Sequence, residues 1–459
     1  VSGNTFRFSI DGSRVEQTTN GRINPFGSAI DERGYLYSVD CHSKPIFQLI
    51  PGGDYPQWGR KDPAIGYAPE MMSYELGSTA LAGLVHYTDQ QFPETYRGSF
   101  FTGDVVTCRI DRNTVTYQGT TPIAKKEEPF LTSEDPWFRP VDIKTGPDGS
   151  LYIADFYNRI IGHYEVSLDH PGRDRLSGRI WKITYTGKDG GTVPVKNWAK
   201  ADLNELVAAL DHPHLSVRLK VADRLVEVFK DKAVQPVLDR VSATNSSSTG
   251  YIHGLWILHR LGALPEPIIE AALHHKESVV RQHALRILAE SEKLTDARQR
   301  IVLAALTDTD PFIQRTAAEV LSRFSSIDHV DPLLTLYVNC PEEDSHLKYT
   351  ALLAVRNNLR GAGVAEQAVK MKWDDTKQGT IAMAMRDVPS QAAATFVLDY
   401  VLHHDIPHDV LQKNLEFIGR YASSAQLSQI VPIITEKFAG DKQIQLSLFL
   451  NIQEGIAQR

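Results

Sequence analysis

Apolar and polar residues alternate in short runs from Val1 to about Tyr185, and the runs are rich in aromatic and β-branched side chains. A period of two puts successive side chains on opposite faces of a strand, so this stretch predicts β structure. Asp11-Gly12, Asn20-Gly21, Pro51-Gly52-Gly53 and Pro147-Asp148-Gly149 interrupt the runs. Turns are expected there, because glycine accepts positive φ and proline presets φ. From about Asp202 onward the apolar positions recur at three and four with few glycines, which predicts helices. The spacing therefore divides the chain into a β region over residues 1–185, a Gly- and Lys-rich linker over 186–200, and a helical region over 201–459.

Both regions repeat internally. "GYLYSVD" (Gly34 to Asp40) and "GSLYIAD" (Gly149 to Asp155) share Gly-x-Leu-Tyr-x-x-Asp, 115 residues apart. "YRGSFFTGDVVTCRID" (Tyr96 to Asp111) reads as a third unit between them. Units of this size, each holding several short strands, predict blades of a β-propeller, about three of them. An aspartate at each corner can accept backbone N–H groups where the strand stops. In the helical region the triplets Val217/Val221/Leu225, Gly250/Gly254/Leu258, Val280/Ala284/Leu288, Ile313/Ala317/Leu321 and Leu347/Ala351/Val355 start 33, 30, 33 and 34 residues apart. "DHPHLSVR", "HHKESVVR" and "DTDPFIQR" introduce three of them with the same polar turn. This predicts a HEAT-like α-solenoid of stacked helix pairs.

Composition narrows the function classes. A net charge of -7 without a dense basic face argues against a nucleic-acid partner. No apolar run reaches the length of a membrane span. Three cysteines do not make a disulfide framework, and no Cys-x-x-Cys-His haem motif or Cys-x-x-Cys metal knuckle is present. No Gly-x-Ser-x-Gly elbow supports a serine hydrolase.

"GRINPFGSAID", "QQFPETYRGSFFTGDVVTCRID", "DPWFRPVDIKTGPDGSLYIADFYNRIIGHYE" and "LDHPGRDRLSGRIWKITY" resemble a bacterial family labelled membrane-bound dehydrogenases. Its members are large secreted proteins with a glucose/sorbosone-dehydrogenase-like propeller, then HEAT repeats and often a c-type cytochrome. The resemblance covers nearly all of residues 1–185 and continues more loosely beyond. It implies a six-bladed propeller whose other blades and general-base histidine would precede Val1 in a longer protein. It also implies a periplasmic or extracellular location, and a kinship with quinoprotein sugar dehydrogenases that use pyrroloquinoline quinone (PQQ) and calcium.

Residue by residue, the quinoprotein pattern is incomplete. Gly21, Asn24, Pro25 and Gly27 match the cofactor motif, but Ile23 stands where an arginine is expected and Arg22 comes one position early. Arg139 matches a second arginine, with Val141 where its companion would be. Asp104 and Val105 lie where a lysine is expected. The resemblance thus nominates Asn24 and Arg139 as quinone contacts.

The residues themselves add Asp40 and His42 as cofactor or metal ligands, and Asp155 and Asn158 as oxygen ligands for calcium. An arginine such as Arg139 in a propeller channel can hold an anion by bidentate bonds. His163, the dense loop Asp169 to Arg179, the Glu70/Glu75/Ser78/Thr79 group and the turn histidines His212, His214, His274 and His275 are read as strand caps, ion pairs and solvated turn residues. Trp256 is read as helix core. Two functions follow. One is a PQQ-dependent sugar or alcohol dehydrogenase with a degenerate catalytic pattern. The other is a non-enzymatic module binding a sugar, a polysaccharide or a protein partner on the helical solenoid.

Overall fold

The structure is a computed structural model that describes residues 3–41, 44–59, 62–76, 78–162, 165–191, 193–243 and 246–459. Two compact units emerge, one of residues 1–60 and 68–290, the other of residues 61–67 and 291–459.

The first unit begins with a hairpin, β1 (Thr5–Phe8) and β2 (Val15–Thr19). Three antiparallel sheets follow. The first holds β3 (Pro25–Ile30), β4 (Leu36–Asp40) and β5 (Ile46–Leu49) in order. The second holds β6 (Leu81–Tyr87), β7 (Ser99–Asp104) and β8 (Arg109–Gln118), with β9 (Thr121–Lys126) and β10 (Leu131–Thr132) both paired to β8. The third holds β11 (Pro140–Thr145), β12 (Leu151–Asp155) and β13 (Arg179–Ile183).

These are the expected propeller-type sheets, and the two Gly-x-Leu-Tyr-x-x-Asp echoes occupy β4 and β12. Their first strands stand side by side. A Cβ on Gly27 would lie 2.9 Å from the Gly83 carbonyl carbon, and one on Gly83 (φ +68°) would lie 2.6 Å from Asp142 Cα. Between the second and third sheets lies a continuous core of Val85, Tyr87, Phe101, Ile110, Ile143 and Ile153.

The α-helices described in this unit are α1 (Leu203–Ala208), α2 (Leu215–Arg224), α3 (Asp231–Ser242), α4 (Ser248–Arg260), α5 (Glu266–Leu273) and α6 (Ser278–Ala289). A capping box of Asp202 and Glu205 starts α1. A one-turn π segment, Leu225–Phe229, extends α2.

The second unit is helical: α7 (Asp296–Ala305), α8 (Pro311–Leu321), α9 (Ile327–Asn339), α10 (Ser345–Leu359), α11 (Val364–Lys370), α12 (Asp375–Met385), α13 (Gln391–His403), α14 (His408–Tyr421), α15 (Ser424–Leu427), α16 (Ile430–Lys437) and α17 (Lys442–Ala457). Its segment 61–67 is held by Asp387, whose carboxylate accepts the Ala64 and Ile65 amides at 3.1 and 3.4 Å. The residues of the sequence triplets fall on α2 and the π segment that extends it, α4, α6, α8 and α10, and are buried, as the HEAT-like periodicity predicts. Among the described residues no helix is long and apolar enough to cross a membrane. Cys41, Cys108 and Cys340 are free and buried.

Candidate functional site

Each sheet ends its second strand in a buried aspartate facing the start of its first strand. Asp40 registers with Pro25, Asp104 with Leu81, and Asp155 with Pro140. A register shift follows each of these positions, between Pro25 and Gly27, Ala82 and Val85, and Pro140 and Asp142. With the first strands adjacent, all three corners sit at the same end of the sheets.

The third corner gathers three of the residues picked out in the sequence. Asp155 Oδ1 accepts the Arg139 and Tyr157 amides at 2.8 and 2.9 Å, and Oδ2 accepts Trp181 Nε1 at 3.0 Å. Asn158 donates to the Asp174 carbonyl and accepts the Ile160 amide. Arg139 is 8% exposed. Its Nε donates to the Asn158 carbonyl at 2.9 Å and its Nη2 to the Arg159 carbonyl at 3.4 Å. Its Nη1 reaches the Val105 carbonyl at 2.7 Å, the Val106 carbonyl at 3.3 Å and Cys108 Sγ at 3.4 Å. The guanidinium therefore ties the third corner to the second through backbone acceptors. Its N–H groups are turned to protein, and the oxygens of Asp155 face N–H donors. That arrangement closes strand ends, and at this corner the polar groups of Arg139, Asp155 and Asn158 are engaged by protein. Among the described residues no group of three His, Cys, Asp or Glu side chains is arranged to hold a metal ion.

The first corner separates its candidates. Asp40 pairs with Arg22 at 3.2 Å, both side chains being 1% exposed. The Arg22 guanidinium also lies 4.2 Å above the Phe47 ring and donates to the Pro45 carbonyl at 3.0 Å. Burial pulls the Arg22 pKa below its ordinary value, while Asp40 opposes that shift. Arg22, which precedes β3, is therefore turned into the protein and held there by Asp40 and the Pro45 carbonyl. Asn24 takes the left-handed conformation (φ +54°), which asparagine tolerates, and its Nδ2 lies 2.9 Å from Cys41 Sγ. His42 and His163 lie outside the described residues. At the second corner Asp104 accepts Ser78 Oγ and the Val106 and Thr107 amides, and Arg109 bridges Asp104 and Asp111.

The Asp169 to Arg179 loop is fastened by an ion pair of Arg179 with Asp135 at 3.7 Å and by guanidinium-to-carbonyl bonds, in which Arg173 donates to the Ser167, Ile160, Gly162 and Val166 carbonyls. His214, expected in a solvated turn, is fully buried with Nδ1 3.2 Å from the Pro147 carbonyl.

A different feature has the form of a binding site. Within the first unit a cleft of about 520 Å³ lies between the β3–β4 turn and helices α2, α4 and α6. Trp256, read from sequence as core, lies on its wall and donates Nε1–H to His283 Nδ1 at 3.1 Å. His283 Nε2 meets the Glu32 carbonyl at 3.0 Å, which assigns the ring proton to Nε2. Arg218 reaches Glu32 at 2.8 Å and His253 Nε2 at 3.2 Å. Burial drives the pKa of His253 down to about 3 and that of His283 down to about 4, so both rings are neutral near pH 7. Sequence reasoning missed Glu32, Arg218, His253 and His283. The available signal was the repeated turn ending in arginine, "DHPHLSVR" and "HHKESVVR", where Arg218 and Arg281 fold back on carbonyls of their own turn.

Residues 1–187 match a family described as "Domain of unknown function (DUF7133)", and residues 265–354 match HEAT repeats. No curated protein matches. Among solved structures the chain is similar to one described as an oxidoreductase (glucose dehydrogenase) from Thermus thermophilus, at 20% identity and a TM-score of 0.28, over 38% of this chain and 48% of that one. A second glucose dehydrogenase matches at 20% identity and a TM-score of 0.27, over 39% and 49%. The Escherichia coli protein YibA matches at 16% identity and a TM-score of 0.33, over 56% and 94%. The chain spans about half the length of the glucose dehydrogenases it matches. The likeness to glucose dehydrogenases is thus one of low identity and partial coverage, and the helical region carries HEAT repeats.

Proposed function

We propose that this chain works as a recognition module, in which propeller-type sheets and HEAT-type helices hold a binding surface, and not as a quinone enzyme. The observation that carries this reading is the state of Arg139. The side chain nominated to hold an anionic cofactor donates to four backbone carbonyls and a thiol. Asp155 and Asn158, nominated for calcium, are engaged in the same network. The residues present do not fit PQQ and calcium, so no catalytic step is assigned to them. A periplasmic or extracellular setting rests on the sequence resemblance alone.

The dehydrogenase reading keeps one foothold in Asn24, which sits half-buried in the Gly21–Gly27 motif. The two readings separate by experiment. The protein is mixed with PQQ and excess calcium, and the cofactor absorbance and dye reduction with a panel of sugars are followed. The recognition reading expects no saturable spectral shift and no sugar-dependent reduction. A stoichiometric shift that Arg139→Ala abolishes, together with turnover, would restore the quinone enzyme.

A further inference from the structure

We propose that the cleft between the β3–β4 turn and helices α2, α4 and α6 binds a short, uncharged saccharide. This inference rests on reading the chain as a recognition module, and it names the ligand class and the site.

A cleft of about 520 Å³ lies within the range of pockets that enclose small organic ligands and exceeds what one side chain would fill. Its wall is mainly apolar, built by Leu219, Ala222, Ile252 and the Trp256 indole. The chain of bonds from Trp256 through His283 to the Glu32 carbonyl fixes the indole before any ligand arrives. A rigid aromatic wall of this kind takes the C–H face of a pyranose ring at little cost in side-chain entropy.

The rim decides the ligand's charge. Its four cationic and four anionic groups balance, and six of them form pairs: Arg260 with Asp223 at 2.9 Å, Arg218 with Glu32 at 2.8 Å, and Arg7 with Glu290 at 2.7 Å. The Arg286 guanidinium lies 4.6 Å over the Tyr35 ring, and Asp31 accepts the Arg33 and Tyr35 amides and the Tyr37 hydroxyl. An ionic ligand would have to break one of these pairs and leave a partner uncompensated. A purely apolar ligand would bury the pairs without replacing their water. A vicinal diol avoids both costs. Each hydroxyl donates and accepts, so one can give to the carboxylate of a pair while its neighbour receives from the guanidinium. Glu32 and Asp223 remain 56% and 43% exposed, so their carboxylates stay within reach of such a ligand.

The test uses the full chain. Glucose, galactose, N-acetylglucosamine, cellobiose and maltose are titrated, with tryptophan fluorescence and calorimetry as readouts. At least one sugar is expected to bind saturably. Asp223→Ala is expected to weaken it about tenfold, the loss of one charge-assisted hydrogen bond. Trp256→Ala is expected to abolish both binding and the fluorescence change. Because Trp256 is half-buried, Leu219→Glu is a second probe: this residue is 46% exposed, so the fold tolerates the change while a charge enters the cleft mouth. Binding lost in Leu219→Glu with unchanged thermal unfolding supports the assignment. Binding that survives all three substitutions overturns it, and so does the absence of binding by any neutral sugar. Should neither quinone nor sugar bind, the saccharide inference falls and the recognition reading stands. Should quinone bind with turnover, the recognition reading itself falls.

Discussion

At the scale of single residues, Arg139 shows how one side chain type serves two incompatible purposes. A guanidinium carries five N–H groups in a fixed fork, and these either face a ligand or close on the protein. Here they close on the Val105, Val106, Asn158 and Arg159 carbonyls. Arg139→Met would leave these carbonyls without their donor in a buried place, at a cost of about 3 kcal/mol. A lower urea midpoint for the variant is the expected readout. Arg139→Lys should recover little, because one ammonium cannot span acceptors on two separate segments. Stability equal to the parent in both variants would remove the strand-closing role. The crowding of Arg139, Asp155 and Asn158 was visible in the sequence. Their employment was not, because it depends on the loop after Asp155 folding back and on the Val105–Val106 carbonyls arriving from another sheet. Nor could periodicity tell that Trp256 would reach a cleft wall, since a half-buried indole and a core indole occupy the same helical positions.

At the scale of elements, the repeats were legible because packing imposes them. The sheets need Gly at the tight corner and Asp at the strand end, with Tyr37 buried in β4 and Leu151 in β12, so the motif recurs on both strands. The helix triplets recur because each stacked helix buries the same stripe. The second sheet was harder to read. Its first strand, β6, is irregular between Ala82 and Val85 and follows a long excursion from the first sheet. That irregularity centres on Gly83, whose positive φ and 2.6 Å approach to Asp142 Cα make it the point where neighbouring first strands meet. Gly83→Ala adds a methyl group in a left-handed position against backbone that has little room to yield. A loss of about 3 kcal/mol or more is expected, seen as a lowered thermal midpoint and faster proteolysis of the sheet region. Gly98→Ala is the control: its φ is also positive (+75°), but a Cβ there meets nothing within 4 Å, so it should cost far less. Equal losses in the two variants would show that backbone conformation alone, and not strand contact, sets the requirement. The boundary at Glu290/Ser291 between the two compact units has no marker in the helical periodicity, because it follows from which helices pack on which partners.

At the scale of the whole molecule, the buried titratable groups of the first unit set how its stability varies with pH. Burial pushes Asp89 up to about 7, with Arg218 and the Leu215 amide opposing. Burial also holds His253 at about 3 and His283 at about 4. The signs differ. Folded Asp89 keeps a proton that the unfolded chain releases near pH 4, so its contribution is full below that point and is lost as pH rises towards 7. The two histidines stay neutral in the fold while the unfolded chain protonates them below about 6.5, so their contribution is lost as pH falls. Between about pH 4 and 6.5 the unfolded state therefore binds one more proton, net, at these three sites. Stability rises with pH there by about 1.4 kcal/mol per unit, flattens as the unfolded histidines lose their protons and reaches its optimum near pH 7. Asp89→Asn deletes the opposing contribution. The acid limb should steepen towards two protons. Urea midpoints at half-unit steps from pH 4.5 to 8 would resolve the steeper limb. A variant profile that overlays the parent's would mean that Asp89 titrates in the fold as it does in water, and that the seam between sheet and helix around it is wet.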